Sequence, residues 1–308
     1  MTTRFYFHPV CIEHEPSPQH PESPDRLRTI SHVLAADEFD ALDRRTPSEA
    51  QKSQIARAHP ESYVERVFAM IPETGYARID ADTIVSPKSG EAALRAAGAM
   101  IDAVDAVMTG EADNAFCAIR PPGHHAEPEQ GMGFCLFNNV VIGAEHARAA
   151  HGAERIAVMD FDVHHGNGTQ AMFWNEPDMF YASTHQWPLY PGTGDRSETG
   201  AHGNIVNAPL WAGAGSEDFR AAMRDVVLPA MDDFAPDLVM ISAGFDAHRR
   251  DPLAQLELDT EDFVWASDAL REIAGKKSSG RLISTLEGGY DLQALGESTE
   301  AHVRALMD

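Results

Sequence analysis

Cysteine is scarce in this chain of 308 residues: Cys11, Cys117 and Cys135 are the only three. They are too few and too scattered for a disulfide framework, so a reducing cytoplasm is the expected compartment. Cys117 and Cys135 sit in apolar, strand-like surroundings and read as small buried hydrophobes rather than reactive thiols. No apolar run approaches the length of a transmembrane span. The opening MTTRFYFHPV lacks the basic-then-apolar layout of a signal peptide. Repeats at solenoid periods, low-complexity tracts and Pro/Gly/Ser linkers are also missing. Residues 1–308 are therefore expected to form one domain. Positive charge is the remaining deficit, with 24 Lys+Arg against 48 Asp+Glu and a formal net charge of -24. That field speaks against nucleic acid and membranes as partners. It serves either to draw in cations, such as lysine-rich peptides or polyamines, or to keep the chain soluble. A homo-oligomer is left open.

What is present is a repeated theme: a short apolar run ending in polar residues, then a helix-like stretch. The runs are 5–8, 115–120, 155–163, 178–184, 237–246 and 281–290. Helices are expected over 87–108, 138–151, 217–234, 260–275 and 291–307, the first starting at Ser86-Pro87 and stopping at Gly110. Alternation of this kind predicts an α/β fold with a mostly parallel central sheet and helices on both faces. Ligands of such sheets bind beyond the carboxyl ends of the strands. Here those ends carry Arg120-Pro121-Pro122-Gly123-His124-His125, Asp160 to His165, Ser183-Thr184-His185, Gly244-Phe245-Asp246 and Glu287-Gly288-Gly289-Tyr290.

In extended chain, side chains two apart share a face, so Asp160, Asp162 and His164 are expected to point together. A buried row of that kind needs a cation or hydrogen bonds to offset its burial. Asp162 and His164 suit a zinc-like ion, and Asp246, closing the apolar run LVMISAGFD, is the best third ligand. His124 and His125, held in a Pro-Pro-Gly loop, suit acid–base work, with Asp160 and Asn167 as orienting acceptors. His165 faces the other way and reads as packed or hydrogen-bonded. Tyr290 could donate to a carbonyl oxygen as it gains negative charge. Gly133 and Phe134 offer an aromatic wall beside exposed backbone.

These motifs together closely resemble the histone deacetylase family, zinc-dependent amidohydrolases with an arginase-like α/β fold. The resemblance runs from HPESPDRL (20–27) through RPPGHHA (120–126), GFCLFNNV (133–140), DFDVHHGNGTQ (160–170), YPGTGD (190–195) and SAGFDAHRRDPL (242–253) to LEGGYDL (286–292). GNGTQ and SAGFDAH look like the class II branch and its bacterial relatives. The resemblance implies one catalytic Zn2+ on Asp162, His164 and Asp246, an acid–base pair at His124 and His125, and a carbonyl-polarising Tyr290. It implies an acyl-lysine tunnel walled by Gly133 and Phe134, with Tyr190 rather than Leu189 opposite. Arg26 matches a basic residue of an internal channel behind the site, and Asp82 a rim carboxylate that grips substrate backbone. A structural K+ would rest on Asp160, Ser183 and the carbonyls of Asp162, His164 and Thr184.

Three departures bear on activity. Position 290 is Tyr, not the His of the weakly active class IIa enzymes, so catalysis is expected. Phe161 replaces a Trp common in class II. Leu253 stands where a polyamine-selective vertebrate member carries a gatekeeping Glu. The expected function is hydrolysis of acyl-lysine or a similar acylated amine, with histone itself not the expected substrate. The alternatives are an acetylpolyamine amidohydrolase and, from another class, a catalytically silent acyl-lysine binding module. A two-manganese ureohydrolase shares the fold but not this ligand set.

Overall fold

The computed structural model describes residues 1–308. Its central sheet has eight strands: β1 (Thr3–Tyr6), β2 (Asp43–Arg45), β3 (Asn114–Cys117), β4 (Ile156–Asp160), β5 (Met179–Gln186), β6 (Ile205–Leu210), β7 (Leu238–Ala243) and β8 (Leu282–Leu286). They lie in the order β2-β1-β3-β8-β7-β4-β5-β6. Every pairing is parallel. The main helices are α1 (Asp25–Val33), α2 (Ser89–Thr109), α3 (Asn139–His151), α4 (Asn167–Phe173), α5 (Ser216–Ala222), α6 (Leu228–Phe234), α7 (Thr260–Lys277) and α8 (Leu292–Met307).

Both faces of the sheet are buried, which is why its central strands read as continuous apolar runs. Successive residues of β4 serve opposite cores. Ala157 and Met159 join Phe161, Phe245 and Phe263 under α7 and α8, while Ile156 and Val158 join Met100 and Val104 of α2 on the other side. Phe161, standing where Trp is common, packs against Phe245 and Phe263 at centroid distances of 6.0 and 5.8 Å. The helix stops follow from backbone chemistry. Gly110 and Gly152 take φ of 77° and 67° after α2 and α3, which only glycine adopts readily.

Two expectations need correction. The helix over 217–234 is broken into α5 and α6 by a π-helical segment, Met223–Val227. Pro229 has no N–H and its ring crowds the carbonyl four residues back, at Asp225, so the turn widens there. Ser86 does not cap α2, which begins at Ser89; its hydroxyl instead accepts from Glu15 N at 3.1 Å. The edge strands β2 and β6 were not among the expected runs. One is Asp-Arg-Arg and the other contains Pro209, a residue tolerated at a sheet edge where a missing donor goes unused.

Several histidines are interred as neutral rings. Burial pushes His302 down to about 3, His59 to about 4 and His14, with help from Arg120, to about 3. In the unfolded chain each titrates near the ordinary value of about 6.5. Below that pH the unfolded state takes up protons that the folded state refuses, so stability is full above 6.5 and falls as pH drops toward the folded values. Each pH unit in this window costs up to about 1.4 kcal/mol per ring. These rings should therefore lower the thermal midpoint from pH 6.5 to about 4. Buried Asp246, Glu287 and Asp251, pushed up to about 7, 7 and 6, act in the opposite sense, so the check is a difference: a pH slope unchanged in His302→Gln would contradict the neutral burial of that ring.

Candidate active site

The site lies beyond the carboxyl ends of four adjacent strands, β3, β8, β7 and β4. Strand β4 stops at Asp160, sooner than the apolar pattern suggested. Asp162 and His164 converge because the backbone turns, not because an extended chain alternates. Hydrogen bonds set that turn: Asp162 N donates to Asp160 Oδ1 at 3.1 Å and His164 N donates to Asp162 Oδ1 at 2.8 Å. Asp246 reaches across from the end of β7, where its Oδ1 accepts from Val163 N at 2.9 Å.

The ligand atoms of Asp162, His164 and Asp246 all lie within 4.8 Å of one another. His164 Nδ1 is 3.0 Å from Asp246 Oδ2 and 3.2 Å from Asp162 Oδ1. The residues fit a zinc-class ion on two observations. The donors are the oxygen and nitrogen types such an ion takes, three in number, leaving a position open. The backbone is also shaped to keep the cradle clear: a Cβ at Gly288 would fall 2.1 Å from Asp246 Oδ2 and 2.6 Å from Asp162 Oδ2. A Cβ at Gly244 would likewise fall 2.1 Å from Asp162 Oδ2. Burial and the neighbouring Asp162 charge push Asp246 up to about 7 despite His164. Burial opposes a charge on His164, but the two carboxylates outweigh it and push it up to about 10.

Beside this cradle stand the two loop histidines, ring centroids 4.0 Å apart. His124 Nδ1 faces Asp160 Oδ2 at 3.0 Å, and His125 Nδ1 faces Asn167 Oδ1 at 2.8 Å. Their surroundings push them in opposite directions. Burial opposes a charge on His124, but Asp162 and Asp160 overcome it, to about 10. Burial and the neighbouring His124 and His164 hold His125 far below the usual imidazole range. The loop is anchored by Glu287, whose Oε2 accepts from Gly123 N at 2.7 Å and His124 N at 3.2 Å.

A cleft of about 200 Å³ opens over these groups. His125, His164 and Tyr290 form its floor, Gly133, Phe134, Tyr190 and Leu189 its walls, and Leu253 and Asp82 its remaining lining. The structure corrects one expectation here, because Leu189 and Tyr190 both line the cleft. Gly133 and Phe134 are both left-handed, with φ of 56° and 69°. At Gly133 a Cβ would lie 2.4 Å from His125 Cδ2. Asp82 Oδ1 accepts from Gly133 N and Thr83 Oγ1 from Phe134 N, each at 3.1 Å, so both brace this wall. Arg26 does not line the cleft. It is fully buried, paired with Glu22 at 3.0 Å, and donates from Nε to Gly289 O at 2.7 Å. Its guanidinium lies 5.0 Å from the Tyr290 ring centroid, behind that residue.

Ser183 sits opposite Asp160 in the β4–β5 register, with its hydroxyl 2.9 Å from His185 Nδ1. His165 is held by Thr193 Oγ1 at 2.8 Å and Gln170 Oε1 at 3.0 Å, in keeping with a packed ring. Sequence reasoning missed Glu287 and Asp251. Asp251 Oδ2 accepts from Tyr290 N at 2.7 Å, fixing the backbone of that residue. Neither carboxylate had a neighbouring ligand type to betray it. Their partners are backbone N–H groups 164 and 39 residues away.

Comparison with known proteins identifies the family and the fold. Residues 20–306 match the model of the histone deacetylase domain. The chain is similar to a histone deacetylase-like amidohydrolase of Pseudomonas aeruginosa, 38% identical, with 94% of this chain and 81% of that one covered. It is 38% identical to a probable deacetylase of Archaeoglobus fulgidus, over 100% of this chain and 86% of the relative. The crystal structure of the HDA15 HD domain superposes with a TM-score of 0.94 at 36% identity, covering 99% of this chain and 88% of that one. The solved domain shares the fold of this chain, and the chain belongs to the histone deacetylase family of amidohydrolases.

Proposed function

We propose that this protein is a zinc-dependent deacylase that cleaves the amide of acetyl-lysine or a similar acylated amine, and that residues 1–308 are one catalytic domain. The observation that carries the reading is a cluster of three metal-ligating residue types, Asp162, His164 and Asp246, whose His164 lines one cleft with His125 and Tyr290. Zn2+ on Asp162, His164 and Asp246 would supply Lewis-acid activation of the carbonyl and the attacking water.

The chain's own groups divide the remaining work. Asn167 Oδ1 accepts from His125 Nδ1, which leaves His125 Nε2 with a free lone pair toward the cleft, the arrangement of a general base. Asp160 accepts from His124 Nδ1 and balances an imidazolium there. The Tyr290 hydroxyl would donate to the carbonyl oxygen as negative charge develops. The proton taken by His125 then returns to the leaving amine. Phe134, Tyr190 and Leu189 suit the uncharged stem of an acyl-lysine, and Asp82 at the lining suits a backbone amide or a cation. A K+ at Asp160 and Ser183 belongs to the same reading, with the carbonyls of Asp162, His164 and Thr184. The side-chain oxygens of both already have protein partners, so the carbonyls would supply most of its coordination.

Leu253 offers no carboxylate to a distal ammonium. Acyl-lysine peptides or aryl-capped acyl-lysines should therefore exceed acetylated putrescine and spermidine in kcat/KM. The comparison must be made at one ionic strength, because the acidic surface attracts every cation and salt screens that attraction. A clear preference for the acetylpolyamines would replace this reading by the polyamine one. No hydrolysis of either by metal-loaded protein would favour a silent binding module.

A further inference from the structure

Away from the cleft, two packed helices bring a second set of metal-ligating groups together. Asp105 lies near the end of α2, and His146 and His151 lie in the second half of α3. His146 Nε2 and His151 Nε2 both stand 2.7 Å from the same oxygen, Asp105 Oδ1. The ligand atoms all lie within 4.8 Å of one another, and the only other trio so close is Asp162, His164 and Asp246. The rings approach at 74° with centroids 5.9 Å apart, so their nitrogens converge on one point from two directions.

Purely as a hydrogen-bonded cluster, both rings must carry a proton on Nε2 and crowd it onto one carboxylate oxygen. A cation at the convergence point engages all three groups at once. One carboxylate and two imidazoles form the donor set of a zinc-class ion, with a position left for water. The Asp105 side chain is 50% exposed and borders a surface groove of about 290 Å³, which leaves its carboxylate reachable from solvent. One neighbour opposes occupancy. Arg57 Nη1 donates to His146 Nδ1 at 2.8 Å, which fixes the proton of that ring on Nε2. Coordination through Nε2 moves the proton to Nδ1 without net release, and Arg57 must then turn away.

We infer that Asp105, His146 and His151 form a second, surface site for a divalent transition metal of the zinc class, restrained by Arg57. It is separate from the deacylase reading and survives that reading's failure. The test is calorimetric titration of Zn2+ into protein whose cleft site is already metal-loaded. One further binding event is expected. It should be absent from His151→Ala and from Asp105→Asn, which alter different helices, and tighter in Arg57→Ala. Amide hydrolysis at fixed metal loading should be unchanged in all three, which also reports that they fold. No further uptake by the loaded protein, or the same uptake by either ligand variant, would overturn the assignment.

Discussion

Asp246→Asn should leave the protein folded, strip it of bound metal and abolish hydrolysis. The substitution keeps an oxygen where Val163 N donates at 2.9 Å, so the turn that carries Asp162 and His164 retains its anchor. It removes a buried charge that lies beside another carboxylate, and losing such a charge costs the fold little. What is lost is one anionic ligand of three, and with it the cradle's hold on a cation. The fall in turnover should exceed the about 10²–10³-fold typical of a single oxyanion donor. Metal content and a melting curve, measured on the same sample as activity, separate the outcomes. Full activity in metal-free protein would sink the zinc reading outright.

Tyr290→Phe should behave differently: metal content and melting unchanged, KM little moved, and kcat reduced by about 10²–10³. The ring is held without its hydroxyl. Asp251 Oδ2 accepts from Tyr290 N at 2.7 Å, Arg26 Nε donates to Gly289 O at 2.7 Å, and the Phe134 ring stands edge-on with its centroid 5.9 Å away. Removing one oxygen therefore removes a donor and leaves the cleft in shape. Burial raises this phenol well above its ordinary value, which keeps the proton on the oxygen for donation. Normal turnover in Tyr290→Phe would reduce the residue to packing.

The two substitutions test different parts of the site, and those parts differ in how openly the sequence displayed them. Asp162, His164 and Asp246 were legible because they close apolar runs at strand ends and, taken together, form a set of metal-ligating residue types. His124 and His125 stood out through the Pro-Pro-Gly loop before them. The braces were not legible. Glu287, Asp251 and Thr83 act on backbone N–H groups, and an N–H has no residue type to announce it. Arg26 was legible as a basic residue but not as a buried one, since its burial depends on Glu22 and on carbonyls far along the chain.

By itself the sequence determined the elements and their chemistry: central strands with both faces apolar, a helix stop at Gly110, and polar clusters at strand ends. Those are local properties, set by side-chain periodicity and by what each residue's backbone tolerates. Tertiary structure decided who meets whom. The loop histidines follow β3 and Asp162 and His164 follow β4, yet β8 and β7 are inserted between these strands. That insertion brings Glu287 against the histidine loop and Gly288 N to within 2.8 Å of Asp162 Oδ2. Strand order depends on how long crossovers pack and on which faces they bury, so it is written in contacts between distant segments and not in any one of them. The same holds for Asp105, His146 and His151, ordinary helix residues until α2 and α3 lie side by side.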